Sequence, residues 1–307
     1  MSYRIALVGI GKIARDQHIP AIAESGEFEL AATASRSASV EGVNAYRTLP
    51  ELLAAEPEVP CISLCTPPQV RYADARAALE AGRHVMLEKP PGATLSEVHD
   101  LAALAASRGL TLFTTWHSRH AAAVSAARSW LSEHEIDRIR ISWREDVRHW
   151  HPGQDWVWEP GGLGVFDPGI NALSVLTAIL PRRIHLAEAV LDFPENRATP
   201  VAAELTFHDP RGAEVTASFD WLHPGEPEWD IHLHAGGAEA VLREGGARFL
   251  VGGTEVASGP DREYPGLYAR FAELLAAGES EVDLAPLTHV ADAFTIGLRR
   301  SAPLFDW

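Results

Sequence analysis

The chain has 307 residues, 46% of them hydrophobic, an ordinary composition for a folded protein, and single cores stop growing near roughly 250–300 residues, so two domains are expected. A formal net charge of −16 argues against a nucleic-acid partner, whose phosphates draw on clustered Lys and Arg. No apolar run approaches the ~20 residues of a membrane helix, and Met1-Ser2-Tyr3-Arg4 enters an apolar strand without a leader pattern, so a cytoplasmic protein with no membrane partner is expected.

Ile5–Val8 is a short, continuously apolar run ending at glycines, which suits a strand buried on both faces. A helix follows over about 12–25, then strands at Phe28–Ala34 and Cys61–Leu64. A helix over about 70–81, a strand at His84–Leu87 and a helix over 94–108 come next. Thr94 and Glu97, three apart, form a capping box for that last helix, and 111–115 gives one more strand. Strands alternating with helices predict a doubly wound α/β domain with a parallel sheet, over residues 1–118. Cys61 and Cys65 share one strand, where their Cα atoms would lie ~13 Å apart, beyond disulfide reach. Both are expected to be small buried thiols.

After residue 120 the texture changes. A helix over about 121–133 leads into a Trp-rich stretch and the glycine-rich segment Gly161–Gly169. Strand-like runs at 202–207, 214–221, 229–234, 239–243 and 248–251 are too closely spaced for intervening helices, which predicts an open, mainly antiparallel sheet. Helical patterns at about 265–277 and 286–300 close the chain. Residues 119–307 are thus expected to form an α+β domain that holds substrate and, through the uncovered sheet face, pairs with a second copy.

Gly9-Ile10-Gly11-Lys12-Ile13-Ala14 sits between the first strand and the first helix, as a dinucleotide-binding loop does. The first glycine makes the tight turn, the second lets the backbone approach a pyrophosphate, and the helix N-terminus adds partial positive charge. Gly9, Gly11, Lys12 and Ile13 are therefore cofactor candidates. The second strand ends in Ala34-Ser35-Arg36-Ser37 with no carboxylate for a ribose 2′-hydroxyl. Arg36, helped by Ser35, could instead bind a 2′-phosphate, which points to NADP with NAD also accepted. The alternative for Arg36 is a solvated loop residue.

The run Ala77–Pro90, ending Glu88-Lys89-Pro90, resembles the Gfo/Idh/MocA oxidoreductase family. So do Cys65-Thr66-Pro67-Pro68 and the stretch Gly161–Asn171. The resemblance spans the chain and implies nicotinamide-dependent hydride transfer, with Thr66, Pro67, Glu88 and Lys89 near the cofactor. Within the family, Glu145–Gly153 and Phe166–Asn171 look most like the aldose 1-dehydrogenases acting on D-galactose and L-arabinose. That implies oxidation of the anomeric carbon to a lactone.

Two residues depart from the pattern. Asn171 stands where most members have His, and Arg71 where many have His; no role is attached to Arg71. An amide does not exchange a proton near neutral pH. Lys89 is therefore expected to hold the sugar O1, with Asp167, one helical turn before Asn171, acting with it as general base. The alternatives are a Lys89–Glu88 salt bridge and an N-cap role for Asp167 before Pro168. His117, Glu145, His151 and Asn171, with Asp146, are candidates to bind sugar hydroxyls, and Trp150, Trp156 or Trp158 to stack on the ring. His149 and His151 lack a third ligand, so no metal is expected. A sensor that binds sugar and cofactor without turnover, or a dehydrogenase of another polyol, is the competing reading.

Overall fold

The computed structural model describes residues 2–307, which form two units. The first runs up to His117 and takes in Tyr264–Asp283; the second comprises Ser118–Glu263 and Leu284–Trp307.

In the first unit, β1 (Tyr3–Val8) enters a wide π-helical turn (Ala14–His18) and α1 (Ile19–Glu24). Then come β2 (Phe28–Ala34), β3 (Asn44–Tyr46), α2 (Leu49–Ala55), β4 (Cys61–Leu64) and α3 (Pro68–Glu80). β5 (His84–Leu87), α4 (Leu95–Arg108) and β6 (Leu112–Thr114) follow. The strands are parallel, in the order β3-β2-β1-β4-β5-β6. The order reverses between β1 and β4, and such a switch point opens a crevice at the carboxyl ends of the strands where nucleotides bind. Successive side chains alternate across the sheet. Ile5, Leu7, Cys61 and Met86 pack on one side, and Ala6, Val8, Ile62, Leu64, Val85 and Leu87 on the other. Leu52, Leu79 and Leu101, from α2, α3 and α4, cover the second side. Cys65 is only half-buried, because it lies past the end of β4 in the following loop.

The second unit begins with α5 (Val124–Ser132), β7 (Ile136–Arg144), α6 (Val147–Trp150) and α7 (Phe166–Ile179). β8 (His185–Pro194), β9 (Ala202–His208), β10 (Glu214–Asp220) and β11 (Glu228–Ala235) come next. β12 (Ala238–Arg243), β13 (Arg248–Val251) and β14 (Thr254–Ser258) complete the run of strands. After α8 (Glu263–Ala277) the chain ends with α9 (Ala285–Ile296) and β15 (Leu298–Ala302). The sheet order is β14-β13-β12-β11-β7-β10-β9-β8-β15. It is mainly antiparallel, with β7–β10 and β8–β15 parallel. Ile139, Ile141, Val215, Ala217 and Phe219 are buried, while Arg140, Glu204, Thr206 and Glu214 on alternate positions are exposed. α7 lies so close to β10 that a Cβ on Gly169 would stand 2.8 Å from the Phe219 ring.

Two features differ from the sequence expectation. α8 belongs with the first unit: Leu267, Tyr268, Phe271 and Leu274 bury themselves against Ile5, Leu7, Phe28 and Phe113. The short α1 leaves most of that sheet face bare, and α8 covers it. The final helix also stops at Ile296 rather than near 300, and Leu298–Ala302 becomes a strand beside β8. Gly297 leaves the helix in an extended conformation, φ −67° and ψ 134°.

Candidate active site

In the first unit, loops follow the carboxyl ends of β1, β4 and β5. Gly9, at φ +89°, turns the chain out of β1, and its N–H donates to Ala34 O at 2.9 Å. A Cβ there would meet the Thr66 amide nitrogen at 3.0 Å, so the loop after β4 closes directly onto the glycine turn. A Cβ on Gly11 would meet nothing within 4 Å. Open space at that backbone, beside a helix start, suits the approach of a pyrophosphate. Ala14 is fully buried, as the small residue closing the fingerprint should be.

The other cofactor candidates divide by environment. Lys12 is exposed and pairs with Asp16 one turn on, and Ile13 is half-buried. Ser35 donates its N–H to Tyr46 O at 2.9 Å, and Arg36 beside it is exposed at the end of β2. Thr66 is half-buried and Pro67 exposed, at the start of α3.

Lys89 follows β5, and the Lys89–Pro90 peptide is cis. Its N–H donates to Glu88 Oε2 at 2.7 Å. Glu88 faces inward: Oε1 accepts from His18 Nε2 at 3.0 Å and from Tyr264 Oη at 2.8 Å. His18 Nδ1 reaches Tyr268 Oη at 2.8 Å. The wide turn after the glycine loop carries His18 into this interior. Burial opposes a charge on His18, but Cys65, Tyr268 and Glu88 outweigh it and hold its pKa well above 6.5. Burial likewise opposes a charge on Glu88, but His18, His117 and the Tyr264 hydroxyl hold its carboxyl far below the usual 4.5. The pair is therefore ionic, and the ion partner of Glu88 is His18 rather than the Lys89 side chain. His117, half-buried, stacks on Tyr264 with ring centroids 5.3 Å apart. Arg71, at the start of α3, is buried and donates to the carbonyls of Thr66, Glu88 and Pro90.

The second unit holds a cluster of its own, built on α7, the loop after α6 and the ends of β7, β10 and β11. Asp167 is buried in the first turn of α7. The N-cap position is Val165, with no side-chain cap, so the N-cap alternative for Asp167 does not hold. Asp167 Oδ2 stands 3.3 Å from His151 Nε2. Asn171, half-buried, follows one turn later, on the same helix face. The His151 ring lies edge-on to Trp221, centroids 5.3 Å apart. Trp221 Nε1 donates to Glu145 Oε1 at 3.1 Å, and Trp229 Nε1 to Glu145 Oε2 at 2.9 Å. Trp150, half-buried, packs against Trp229 at 5.3 Å.

Some candidates take other roles. Asp146 caps α6 by accepting from the Arg148 N–H at 2.8 Å. Trp158 is core, packed on Trp221 and Phe305, and Trp156 donates to Gln154 Oε1 at 3.2 Å. His149 lies on α6 and His151 at its C-cap. Among the described residues, no group of three or more His, Cys, Asp or Glu side chains is arranged to hold a metal ion. No helix among them is long and apolar enough to cross a membrane. Sequence reading missed Trp221 and Trp229, which lie 76 and 84 residues from their shared acceptor Glu145. Only their residue type, indoles with a polar edge, signals them.

Residues 3–116 match the Gfo/Idh/MocA model, described as an oxidoreductase family with an NAD-binding Rossmann fold. Galactose 1-dehydrogenase of Pseudomonas fluorescens is 41% identical over 307 residues, spanning 98% of each chain. The crystal structure of a D-galactose-1-dehydrogenase protein from Rhizobium etli is 55% identical, with a TM-score of 0.96 over 100% of this chain and 99% of that one. A 3-ketoreductase from Actinomadura kijaniata, solved with NADP and TDP-benzene, shares the fold at 19% identity, with a TM-score of 0.85 over 99% of this chain and 100% of that one. The first unit binds a nicotinamide dinucleotide, and the chain belongs to the Gfo/Idh/MocA oxidoreductase family.

Proposed function

We propose that the chain is an aldose 1-dehydrogenase that oxidises the anomeric carbon of D-galactose and of L-arabinose to the aldonolactone. The observation that carries this reading is the buried Asp167 carboxylate against His151 in one unit, in a chain whose other unit carries Lys89 after β5 and the dinucleotide loop after β1, both at carboxyl ends of strands of one parallel sheet. The kinship with two galactose 1-dehydrogenases over nearly the whole chain supports the substrate class. D-Galactose and L-arabinose differ by one exocyclic CH₂OH, a difference that a pocket typically converts into only ~1–3 kcal/mol, so activity on both is expected.

A nicotinamide dinucleotide held at the glycine loop would supply the acceptor for the hydride that leaves C1. Lys89 donates a hydrogen bond to O1 and stabilises the alkoxide that develops there. Asp167, in concert with Lys89, takes the O1 proton, and the C1–O1 bond becomes the lactone carbonyl. Asn171 keeps the position of the absent histidine as a hydrogen-bonding group and leaves proton transfer to Asp167. His117, His151 and Glu145 hold the remaining hydroxyls, and Trp150 with Trp229 covers the apolar face of the sugar. Gly9, Gly11, Lys12, Ile13, Thr66 and Pro67 receive the dinucleotide, with Arg36 and Ser35 on a 2′-phosphate, so NADP is preferred over NAD. The exposed polar face of the nine-stranded sheet pairs with a second copy, and the enzyme works in the cytoplasm.

The test is a spectrophotometric one. Purified protein is mixed with NADP or NAD and a panel of sugars and polyols, and formation of reduced cofactor is followed. Reduction with D-galactose and L-arabinose is expected, faster with NADP. Binding of both sugars without reduction would establish the sensor reading instead.

A further inference from the structure

Lys89 follows β5 in an irregular stretch, one residue past the last bond to the neighbouring strand, from the Glu88 N–H to Leu64 O at 3.2 Å. Beyond that bond two side chains hold the backbone. Glu88 Oε2 accepts the Lys89 N–H at 2.7 Å. Arg71 reaches across from the start of α3 and donates one nitrogen, Nη1, to both Glu88 O and Pro90 O, the carbonyls on either side of Lys89. Its Nη2 donates to Thr66 O in the loop after β4. Arg71 is 2% exposed, so these bonds form away from competing water.

A guanidinium is suited to this because its donors lie in a rigid planar fork that is always charged. A lysine at position 71 would offer a point charge on a flexible stem and could not bridge three carbonyls with fixed geometry. We infer that Arg71 is a positioning residue for the oxidation step: it clamps the backbone on both sides of Lys89 so that the ammonium is aimed at O1. The inference rests on the assignment of Lys89 to O1 made above. Misplacement of a reacting group by about 1 Å can cost on the order of a hundredfold in rate without weakening substrate binding.

The experiment compares Arg71→Ala, Arg71→Lys, Lys89→Ala and the double variant, with D-galactose and NADP as probes. Arg71→Ala is expected to lower kcat by about a hundredfold, while the galactose KM and the NADP dissociation constant each change by less than about threefold. Arg71→Lys should recover part of kcat. Guanidinium ion, added below denaturing concentrations, should raise the rate of Arg71→Ala and not that of Lys89→Ala. If Arg71 acts through Lys89, the double variant is no slower than Lys89→Ala alone. Additive losses would overturn the inference. A rise in the NADP dissociation constant matching the fall in kcat would also overturn it, because Arg71 would then serve the Thr66 loop. Should Arg71→Ala not fold, Arg71→Lys carries the same comparison of kcat with KM. Undiminished turnover in Lys89→Ala would refute the role of Lys89 itself. Slow Lys89→Ala beside a fast Arg71→Ala would refute only the role of Arg71.

Discussion

His151 Nε2 stands 3.3 Å from Oδ2 of the buried Asp167, although the two residues come from different elements, the C-cap of α6 and the first turn of α7. The carboxylate thus faces an imidazole even though this chain carries Asn171 in place of the usual histidine. Asp167→Asn keeps shape and polarity but cannot accept a proton near neutral pH. It is expected to lower kcat by about 10²–10⁴-fold, the usual worth of a general base. Steady-state kinetics with D-galactose check this, with circular dichroism to show that α7 is intact. Normal turnover in that variant would refute the assignment.

The His18–Glu88 pair makes stability depend on pH. Glu88 has a depressed pKa in the folded state, so its contribution is present above the ordinary 4.5 and is lost as pH falls through the folded value. His18 has a raised pKa, so its contribution is full below 6.5 and is lost as pH rises through the folded value. Both are complete between these limits. The difference in thermal midpoint between the parent and His18→Gln is therefore expected to be largest at pH 4.5–6.5 and to shrink on either side. A pH-independent difference would contradict an ionic pair.

The alternation of the first unit was legible because its signals are local. β5 spans His84–Leu87 as its apolar run predicts, and Thr94 and Glu97 form the expected capping box. What could not be read are pairings between segments far apart in the chain. The apolar stripe of α8 announces a buried face but not its partner, which is a sheet finished some 150 residues earlier. His18 meets Glu88 across 70 residues, and the turn that brings it inward has no sequence mark. Their motifs mark Asp167 and Lys89 as candidates. No motif marks the indoles of Trp221 and Trp229, because the carboxylate that gathers them lies on another strand end.

Arg36 decides between dinucleotides if it binds the 2′-phosphate. It is exposed at the end of β2, where no carboxylate competes for a ribose hydroxyl. Hydrogen bonds to a charged group are worth about 1.5–3 kcal/mol, so Arg36→Ala should raise the NADP KM by roughly ten- to a hundredfold. The NAD KM should hardly change, since NAD lacks the phosphate. Equal effects on both cofactors would mean that Arg36 does not read the 2′ position.

Glu145 tests how the aromatic wall is held. It is buried at the end of β7, and each carboxylate oxygen accepts from one indole, Trp221 on Oε1 and Trp229 on Oε2. A carboxylate has spare lone pairs, so the same oxygens can also take a sugar hydroxyl. Glu145→Gln replaces one acceptor with an NH₂ donor, which leaves one buried indole N–H facing another donor. An unsatisfied buried group costs about 1–3 kcal/mol, so the thermal midpoint should fall by several degrees. Trp229 packs on Trp150, and a displaced Trp229 would loosen that pair. The galactose KM should therefore rise while the NADP KM stays constant, because Glu145 and both indoles belong to the second unit. If stability falls and the sugar KM does not move, Glu145 braces the fold and the Trp150–Trp229 pair is not part of the sugar site.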